Sequence, residues 1–320
     1  MRVLDFATVQ DVAAKMNPSM WYDWVDYSLR HKNDFQMPPK LRVSQVGGDY
    51  YNVMPVVNES YNMAMFKVIG RHSIKRGEHR STMMGDLLLY EADTGILKAL
   101  VDAEYITTLR TGAVAAHSAM MFVHGGGTIG LIGLGNIMTV CFMVMMSKLQ
   151  LEDSSSPIVV KLYKHHDQEL RFAERFKSYE NIKFVLCDTY EEVIRDTDLI
   201  ISAVTQITEN FAPDECYKEG VTVIPICTLG FQNCDLFFDK VYTDEVEQIR
   251  GFKYFNQFKS LYNVSDVLDG IAPGRTSGKE RILVYNYGIG IHDLYFAKKF
   301  YDEIQGKEIE YNFCKRKYFI

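Results

Sequence analysis

The sequence predicts an α/β protein in which a doubly wound parallel sheet is joined to an α+β domain. From residue 128 onward, short apolar runs alternate with amphipathic helical segments, which is typical of a parallel sheet covered by helices. Before residue 103, segments of alternating apolar and polar residues are separated by turns, which is typical of an antiparallel sheet. A chain of 320 residues is long enough to form both domains.

The first domain is predicted from extended segments and turns. A strand-like start at residues 3–6 leads into helical spacing that runs from Val12 to Tyr27, and Pro38-Pro39 is a break. Ala92-Asp93-Thr94-Gly95 predicts a hairpin turn. The extended segments are residues 42–46, 50–55, 63–69, 86–91 and 96–100.

The second domain is predicted from alternating strands and helices that follow a helix at residues 103–123. The strands are expected at residues 128–132, 158–163, 182–186, 199–204 and 221–226, and the helices at 136–148, 168–179 and 190–195. A last helix at residues 293–305 is expected to pack back on the first domain.

Composition limits the classes of partner. The net charge of −6 offers no general basic field for nucleic acid, and the short cluster Lys315-Arg316-Lys317 is interpreted as a solvated tail. No secretory signal pattern begins the chain, and no apolar run reaches the roughly 18 residues of a membrane span. The six cysteines lack metal-site or disulfide spacing, which favours a reducing cytoplasm and no bound metal.

A glycine-rich turn follows the first predicted parallel strand. Gly133 permits the turn, and Gly135 allows the backbone to approach a pyrophosphate at the start of the helix, where Asn136 and Ile137 lie. Met138 occupies the third glycine position of the dinucleotide fingerprint, so the motif is incomplete. Strand, turn, helix and second strand in this order favour a Rossmann-type dinucleotide site over an ordinary glycine turn.

The end of the second parallel strand indicates which dinucleotide binds. The strand ends with Tyr163 and is followed by Lys164 and His165, without the acid that an NAD site usually places there. These cations favour a 2′-phosphate, so NADP is preferred slightly over NAD, although Asp167 could still reach the ribose. The alternative is that these polar residues begin a solvated loop. The paired histidines His165 and His166 lack a third metal ligand.

Over nearly its whole length the sequence resembles the ornithine cyclodeaminase/μ-crystallin family. The matching segments, in chain order, are Pro38-Pro39-Lys40-Leu41-Arg42, Met54-Pro55, Phe66-Lys67-Val68-Ile69-Gly70, Asp93-Thr94-Gly95, Thr107-Thr108-Leu109-Arg110-Thr111-Gly112-Ala113, Gly133-Leu134-Gly135, Pro273-Gly274-Arg275-Thr276 and Gly288-Ile289-Gly290-Ile291-His292-Asp293-Leu294. Within the family it looks most similar to the opine-type dehydrogenases of 2,3-diaminopropionate biosynthesis. The resemblance implies a homodimer, a substrate-binding and dimerisation domain of residues 1–115 with 293–320, and a Rossmann NAD(P)-binding domain of residues 116–292.

The resemblance also implies roles for individual residues. Family members pass a hydride between NAD(P) and the α-carbon of an amino acid through an imine, and Arg42 and Arg110 match the arginines that bind the substrate carboxylate. Lys67 matches the active-site lysine, and burial beside arginines is expected to lower its pKa. Taken singly, each of these cations could be a surface charge or an ion-pair partner. Asp293 is assigned either a catalytic role or the capping of the last helix.

Further residues are matched to the cofactor. Thr82 and Thr111-Gly112 match positions that face the nicotinamide and phosphate parts of the cofactor, although Thr111-Gly112 alone would be an ordinary helical segment. Ser202, Ala203, Val204 and Thr205 lie at the end of the fourth parallel strand and are expected to line the nicotinamide ribose.

One segment departs from the family pattern. Cyclodeaminases and related alanine dehydrogenases place a catalytic aspartate after the strand that here ends at Ile226, whereas this chain has Cys227-Thr228-Leu229-Gly230 and no acid before Asp235. The departure argues against ornithine cyclodeamination and leaves hydride transfer possible. Cys227 as a nucleophile is a weak alternative, because no histidine lies near it in sequence.

The sequence therefore predicts a cytoplasmic NAD(P)-dependent oxidoreductase that acts on the CH–NH or CH–NH2 group of an amino acid, an imine or an N-carboxyalkyl amino acid. The alternatives are a cyclodeaminase-like ammonia lyase and a non-catalytic protein that binds NADP or another small ligand. The expected partners are a small amino acid or imine substrate and a second copy of the chain, with neither nucleic acid nor membrane.

Overall fold

The computed structural model describes residues 1–75, 77–125, 127–151, 157–205, 207, 209–226 and 235–312. The strands are β1 Arg2–Leu4, β2 Leu41–Ser44, β3 Tyr50–Asn58, β4 Met63–Arg71, β5 Met83–Glu91, β6 Leu97–Asp102, β7 Thr128–Ile132, β8 Ile158–Tyr163, β9 Ile182–Cys187, β10 Leu199–Ser202, β11 Thr222–Pro225, β12 Lys240–Thr243, β13 Leu261–Asn263, β14 Ile282–Tyr285 and β15 Lys307–Glu308. The helices are α1 Phe6–Ala13, α2 Ser19–Arg30, α3 Ala103–Phe122, α4 Asn136–Leu151, α5 Gln168–Arg175, α6 Tyr190–Ile194, α7 Val264–Leu268 and α8 Gly290–Glu303. Among these described helices, none combines the length and the apolar character needed to cross a membrane.

The chain divides into two compact units. The first comprises Met1–Met16, Asn33–Thr107 and Gly290–Ile320, and the second comprises Asn17–Lys32 and Thr108–Ile289. These bounds differ from the sequence-predicted domains mainly at α2, which groups with the second unit. The reason is visible in its contacts, since Asp23 bonds Lys148 of α4 and Asp26 bonds His117 of α3.

The sheet of the first unit has the strand order β15-β1-β6-β5-β4-β3-β2. Strands β2 to β6 are antiparallel neighbours, as predicted, and β1 adds a parallel pairing with β6. Helix α8 packs on β3 and β4 with its first residue close to the sheet, because a Cβ added at Gly290 would lie 2.5 Å from Val56 Cγ2. The predicted α+β architecture of this unit is confirmed.

The sheet of the second unit is entirely parallel in its described pairings, with the order β13-β12-β14-β11-β10-β7-β8-β9. The chain runs outward from β7 to β9 and then returns to place β10 beside β7. This reversal is the switch point of a doubly wound fold, where ligands bind outside the carboxyl ends of the strands. The predicted Rossmann-type fold is confirmed, whereas β12, β13 and β14 were not predicted.

The helical stretch predicted from Val12 to Tyr27 is wrong as a single element. Helix α1 ends at Ala13 and α2 begins at Ser19, with Pro18 between them. Proline lacks the backbone N–H that would continue α1 and favours the start of a new helix. Helix α1 itself begins at a capping aspartate, since Asp5 Oδ1 accepts the Thr8 N–H at 2.9 Å.

Helices α3 and α4 approach each other closely at Gly112. A Cβ added there would lie 2.7 Å from Val140 Cβ and 2.8 Å from the Cys141 backbone nitrogen. Contacts this short do not occur in folded proteins, so a side chain would have to push the two helices apart. Close helix packing is therefore sufficient to explain the glycine, independently of any cofactor contact.

We expect Gly112→Ala to lower the free energy of unfolding by about 1–3 kcal/mol, because overpacking of a rigid interior costs about this much. Denaturant unfolding followed by circular dichroism measures the change. Gly251→Ala is the control, since an added Cβ there meets no atom within 4 Å. Equal stability of the two variants would contradict the packing explanation.

Candidate active site

Lys67 lies in the middle of β4 with its side chain fully buried. Its Nζ donates hydrogen bonds to Asp293 Oδ1 at 2.8 Å and to Thr107 Oγ1 at 2.7 Å. The Thr107 hydroxyl donates its own hydrogen to the Ala103 carbonyl, so its oxygen is available to accept from the lysine. A buried charge costs several kcal/mol unless an opposite charge and hydrogen bonds compensate it, and here both are present.

Asp293 lies in the first turn of α8, as its fourth residue, and its side chain is also fully buried. A negative charge in the first turn of a helix is stabilised by the helix dipole. The carboxylate is directed at Lys67 rather than serving only the end of its own helix. The two predicted catalytic residues, 226 positions apart in the chain, are thereby brought into direct contact.

Arg42 lies on the same face of the first sheet as Lys67. It pairs with Asn52, which pairs with Ile69, two residues along β4 from Lys67. Directly paired residues share a face, as do residues two apart in one strand. The side chain of Arg42 is exposed, and its guanidinium carbon lies 3.6 Å from the centroid of the Tyr50 ring. This face thus presents the buried Lys67 together with the exposed Arg42.

Arg110 lies in the second unit and is 7% exposed. Its guanidinium rests against Gly288, because an added Cβ there would lie 2.7 Å from Arg110 Nη1, and the φ of +85° at Gly288 also disfavours a side chain. Asp244 fixes this loop, with its Oδ2 accepting the Gly288 N–H at 2.6 Å and its Oδ1 the Tyr287 N–H at 3.3 Å. Gly288 therefore leaves room for the Arg110 guanidinium, and Asp244 fixes the position of Gly288.

The predicted dinucleotide turn brings the ends of β7 and β10 together. Gly133 has a φ of +82°, and an added Cβ would lie 2.8 Å from the Ala203 carbonyl carbon and 2.9 Å from the Val204 nitrogen. Gly135, by contrast, has no atom within 4 Å of an added Cβ. The space in front of it faces the start of α4, whose first N–H groups lack helical acceptors, and a pyrophosphate fits this arrangement.

The other predicted cofactor residues are distributed around the second unit, with one exception. Thr111 is half-buried in α3, Ile137 is half-buried in the first turn of α4, and Thr205 is exposed after β10. Met138, at the position of the missing third glycine, is fully buried and contributes to the core. Thr82 belongs to the first unit, where it is exposed just before β5 and its carbonyl accepts the His72 N–H at 2.8 Å.

Of the two side chains predicted to bind a 2′-phosphate after β8, Lys164 is already engaged. Lys164 Nζ donates to Asp188 Oδ1 at 2.8 Å, and this hydrogen bond raises the pKa of Lys164. The His165 backbone N–H donates to Glu169 Oε2 at 2.9 Å, while its side chain is exposed. Because the charge of Lys164 is balanced by Asp188, it attracts a 2′-phosphate less strongly than the sequence alone indicates.

Some sequence-based interpretations concern residues that the structure does not describe. Residues 227–234, which include Cys227, Thr228 and Leu229, lie outside the described residues, and so does the basic cluster Lys315-Arg316-Lys317. Ile226 is the last described residue before residues 227–234, and its N–H donates to the Ser202 carbonyl at 2.8 Å. The absence of an acid between Ile226 and Asp235 is accordingly a property of the sequence.

The fold and the placement of these residues define a protein of two units, one with a Rossmann-type dinucleotide fold and one with a buried lysine–aspartate pair. The chain belongs to the ornithine cyclodeaminase/mu-crystallin family, whose pattern it matches over residues 2–308. The family predicted from the sequence is confirmed.

Three characterised relatives are similar over most of the chain. The nodulation efficiency protein NfeD of Rhizobium meliloti is 25% identical over 87% of this chain and 88% of its own length. An alanine dehydrogenase of Archaeoglobus fulgidus is 25% identical over 86% of each chain. An N-((2S)-2-amino-2-carboxyethyl)-L-glutamate dehydrogenase of Staphylococcus aureus is 24% identical over 87% of each chain.

Solved structures share the fold. An archaeal alanine dehydrogenase dimer with bound NAD matches 98% of this chain and 99% of its own, with a TM-score of 0.82 and 20% identity. The Δ1-pyrroline-2-carboxylate reductase of Thermococcus litoralis, in complex with NADH and L-proline, matches 97% of this chain and 100% of its own, with a TM-score of 0.79 and 16% identity.

Two residues of the site were not identified from the sequence. Thr107 lies in a segment that resembles the family, but nothing in its residue type shows that it contacts Lys67. Asp244 follows β12, a strand that the sequence did not predict. A buried acid directly after a short apolar strand, at the carboxyl edge of a parallel sheet, is the signal that could have identified it.

The buried pair makes a specific prediction for stability. Lys67→Met leaves the Asp293 carboxylate buried without its cation, so we expect it to lower the free energy of unfolding by about 3–5 kcal/mol. The double variant Lys67→Met/Asp293→Asn removes both charges and should be more stable than Lys67→Met alone. Denaturant unfolding of the wild type, Lys67→Met, Asp293→Asn and the double variant gives the coupling energy.

Lys98→Met is the matched control, because Lys98 lies in β6 of the same sheet and forms a partly exposed pair with Glu91. Its loss should cost less than about 1 kcal/mol. Additive effects of the substitutions at Lys67 and Asp293 would show that the two side chains do not interact in solution.

Proposed function

We propose that the protein is an NAD(P)H-dependent oxidoreductase that transfers a hydride to or from the α-carbon of an amino acid through an imine. The observation that carries the proposal is the fully buried ion pair of Lys67 and Asp293 in a chain of this family. A lysine buried together with its counter-ion, on a sheet face that also presents Arg42, is suited to position an anionic substrate and to move a proton.

The reaction requires a hydride carrier, and when bound a nicotinamide dinucleotide supplies this hydride. In our proposal the turn at Gly133 and Gly135 and the first N–H groups of α4 hold its pyrophosphate. Ala203 to Thr205, at the carboxyl end of β10, line its nicotinamide ribose. Relatives of known structure were solved with NAD or NADH, which supports this class of cofactor.

Lys67 has a defined part in the proposed chemistry. When a 2-oxo acid condenses with an amine to form an imine, the carbonyl oxygen leaves as water and must be protonated. The Lys67 ammonium can donate this proton, and in the opposite direction the neutral amine accepts it. Asp293 is then a positioning residue, because it acts on the substrate only through the lysine that it holds.

The substrate is proposed to be an amino acid or its imine, held by its carboxylate. Arg42 and Arg110 are the proposed carboxylate ligands, since a guanidinium binds a carboxylate through two parallel hydrogen bonds. Relatives named alanine dehydrogenase and N-((2S)-2-amino-2-carboxyethyl)-L-glutamate dehydrogenase support two candidate amines, ammonia and an amino acid. The second corresponds to the opine-type branch indicated by the sequence.

The absent acid after Ile226 disfavours a cyclodeaminase-like lyase, because no carboxylate of that loop is available to activate an amine or water, and it leaves hydride transfer possible. A non-catalytic binder is disfavoured by the burial of the Lys67–Asp293 pair, which stable folding alone does not require. A cytoplasmic location is also proposed, since the described cysteines Cys141, Cys187 and Cys216 are free thiols.

Absorbance of the reduced nicotinamide tests these functions directly. The enzyme is mixed with each dinucleotide and a panel of 2-oxo acids, with ammonia or an amino acid as the amine, and then with amino acids in the oxidising direction. We expect net oxidation or reduction of the cofactor. Product formation without net change would identify a lyase, and cofactor binding without either outcome would identify a binder.

In the same assay we expect Lys67→Met to lower kcat by about 100- to 10,000-fold, the range of general acid–base catalysis. Lys98→Met, in the same sheet, should retain full activity. Near-ultraviolet circular dichroism and dinucleotide binding verify that the Lys67 variant is folded. Full turnover by a folded Lys67→Met variant would refute the proposed role.

We propose a homodimer that forms through the face of the first sheet opposite to Lys67. Val68 pairs with Val53, which pairs with Leu41, so these residues share the face away from Lys67. The exposed large apolar side chains on this face are Leu41, Val43, Tyr51, Phe66, Val68 and Met84. An exposed apolar patch of this extent marks an interface. We propose a second copy of the chain as the partner, which the dimeric structure of the archaeal alanine dehydrogenase supports.

We expect Phe66→Glu/Val68→Lys to convert the dimer to a monomer, because burial of two charges in an apolar interface is costly. Light scattering coupled to size-exclusion chromatography measures the mass. Ile271→Lys is the control, since Ile271 is 77% exposed and lies outside this sheet. A monomeric wild type, or a dimer that withstands the double substitution, would exclude this interface.

A further inference from the structure

The sheet face that carries Lys67 continues past the lysine to the ends of β2, β3, β4 and β5. Directly paired residues share a face, as do residues two apart in one strand. Three successive rows of paired residues therefore lie on this face: Met54, Lys67 and Leu87; Arg42, Asn52, Ile69 and Gly85; and Ser44, Tyr50, Arg71 and Met83. The first row is buried, whereas in the third row Ser44 is exposed and the other side chains are half-buried. The face therefore opens to solvent in the direction of Arg71.

The third row places a second arginine close to Arg42. Arg71 pairs directly with Tyr50, and the Arg42 guanidinium carbon lies 3.6 Å from the centroid of the Tyr50 ring. The Cβ atoms of directly paired residues are about 5 Å apart, so both arginines are neighbours of the same ring. Together with Lys67, they give this face three cations within three rows.

No acid balances the two arginines. None of the residues in the three rows is acidic, and neither Arg42 nor Arg71 forms an ion pair within the part of the chain that the structure describes. The acids nearest to them in sequence have other partners. Asp49 Oδ1 accepts the Ser73 N–H and hydroxyl at 3.0 and 2.9 Å, and Glu78 pairs with Arg80. Both guanidiniums are thus available to an anion.

The spacing along β4 separates Arg71 from the reacting end of the site. Lys67 and Arg71 are four residues apart, so their Cα atoms are about 13–14 Å apart. Arg42 lies in the row between them. A substrate with a single carboxylate at Arg42 and its carbonyl at Lys67 therefore leaves Arg71 without a counter-ion. A substrate with a second carboxylate supplies one.

We propose that Arg71, beside Tyr50, binds a second carboxylate of the substrate, so that the enzyme selects dicarboxylates. The inference rests on the proposed function, because it assumes that Lys67 and Arg42 hold the reacting end of an amino acid or imine. A guanidinium binds a carboxylate through two parallel hydrogen bonds, and a tyrosine hydroxyl is a further donor. The second carboxylate comes from the 2-oxo acid or from the amine, since the imine joins both in one molecule.

The test compares kcat/KM for pairs of substrates that differ in one carboxylate, followed by oxidation of the reduced nicotinamide. One pair is 2-oxoglutarate and 2-oxopentanoate, each with ammonia. The other pair is alanine and ethylamine, each with pyruvate. We expect the wild type to prefer the dicarboxylate by about tenfold or more in at least one pair, since a charged hydrogen bond is gained. The pair that shows the preference identifies the component that carries the second carboxylate.

In Arg71→Gln we expect this preference to fall close to one, mainly through a higher KM for the dicarboxylate. A ratio of two activities is insensitive to a misfolded fraction, which lowers both equally. Lys98→Gln is the matched control, because it removes a cation of the same sheet that pairs with Glu91. This control should keep the wild-type preference.

Two results would overturn the proposal while leaving the proposed function intact. One is equal kcat/KM of the wild type for both members of each pair, which does not depend on the folding of any variant. The other is an Arg71→Gln variant that keeps the full preference, which would assign the selection to another residue. If the wild type turned over no substrate of either pair and no other amino acid or 2-oxo acid, the proposed function would be overturned as well.

Discussion

The candidate site depends on the ion pair between Lys67 and Asp293, because a fully buried ammonium cannot exist without compensation. The strand β4 and the helix α8 must both be in place before the two charges meet. The close approach at Gly290 makes this possible, since any side chain there would hold the start of α8 away from Val56. Catalytic geometry and the folding of the first unit are therefore governed by the same contact. A variant that disturbs one is expected to disturb the other, which is why activity and stability must be measured separately.

In the second unit, the backbone turn at Gly133 and Gly135 must remain accessible to a ligand. At Gly133 the chain needs both a positive φ and a close approach to β10, whereas at Gly135 it needs empty space. The third glycine of the usual fingerprint serves close packing of helix on strand, and here Met138 fills that position with a buried side chain. The cofactor-facing part of the motif is retained, and only its packing part is replaced. An incomplete fingerprint is therefore compatible with an intact turn.

The sequence predicted the fold class, the family and most strands, because hydrophobic periodicity and glycine turns are local signals. It missed β12 to β14, whose short apolar runs lie among loops, and it joined α1 to α2 across Pro18. Lys67 and Asp293 were both predicted, but their contact was not, since a pairing across 226 residues has no local signal.

Imine reduction and cyclodeamination differ in the proton transfers that they require of the residues in the first unit. Reduction of an imine requires a hydride at carbon and, during formation of the imine from a 2-oxo acid, a proton for the departing oxygen. Lys67 can serve that single proton step while Asp293 keeps its ammonium in place. Cyclodeamination requires in addition a base that activates an internal amine for ring closure, the part played in relatives by the acid that this sequence lacks after Ile226. Without that acid, no residue of that loop is available as the base for the attacking amine. The arrangement therefore supports a reaction in which the hydride is exchanged with a cofactor that leaves the enzyme after each turnover.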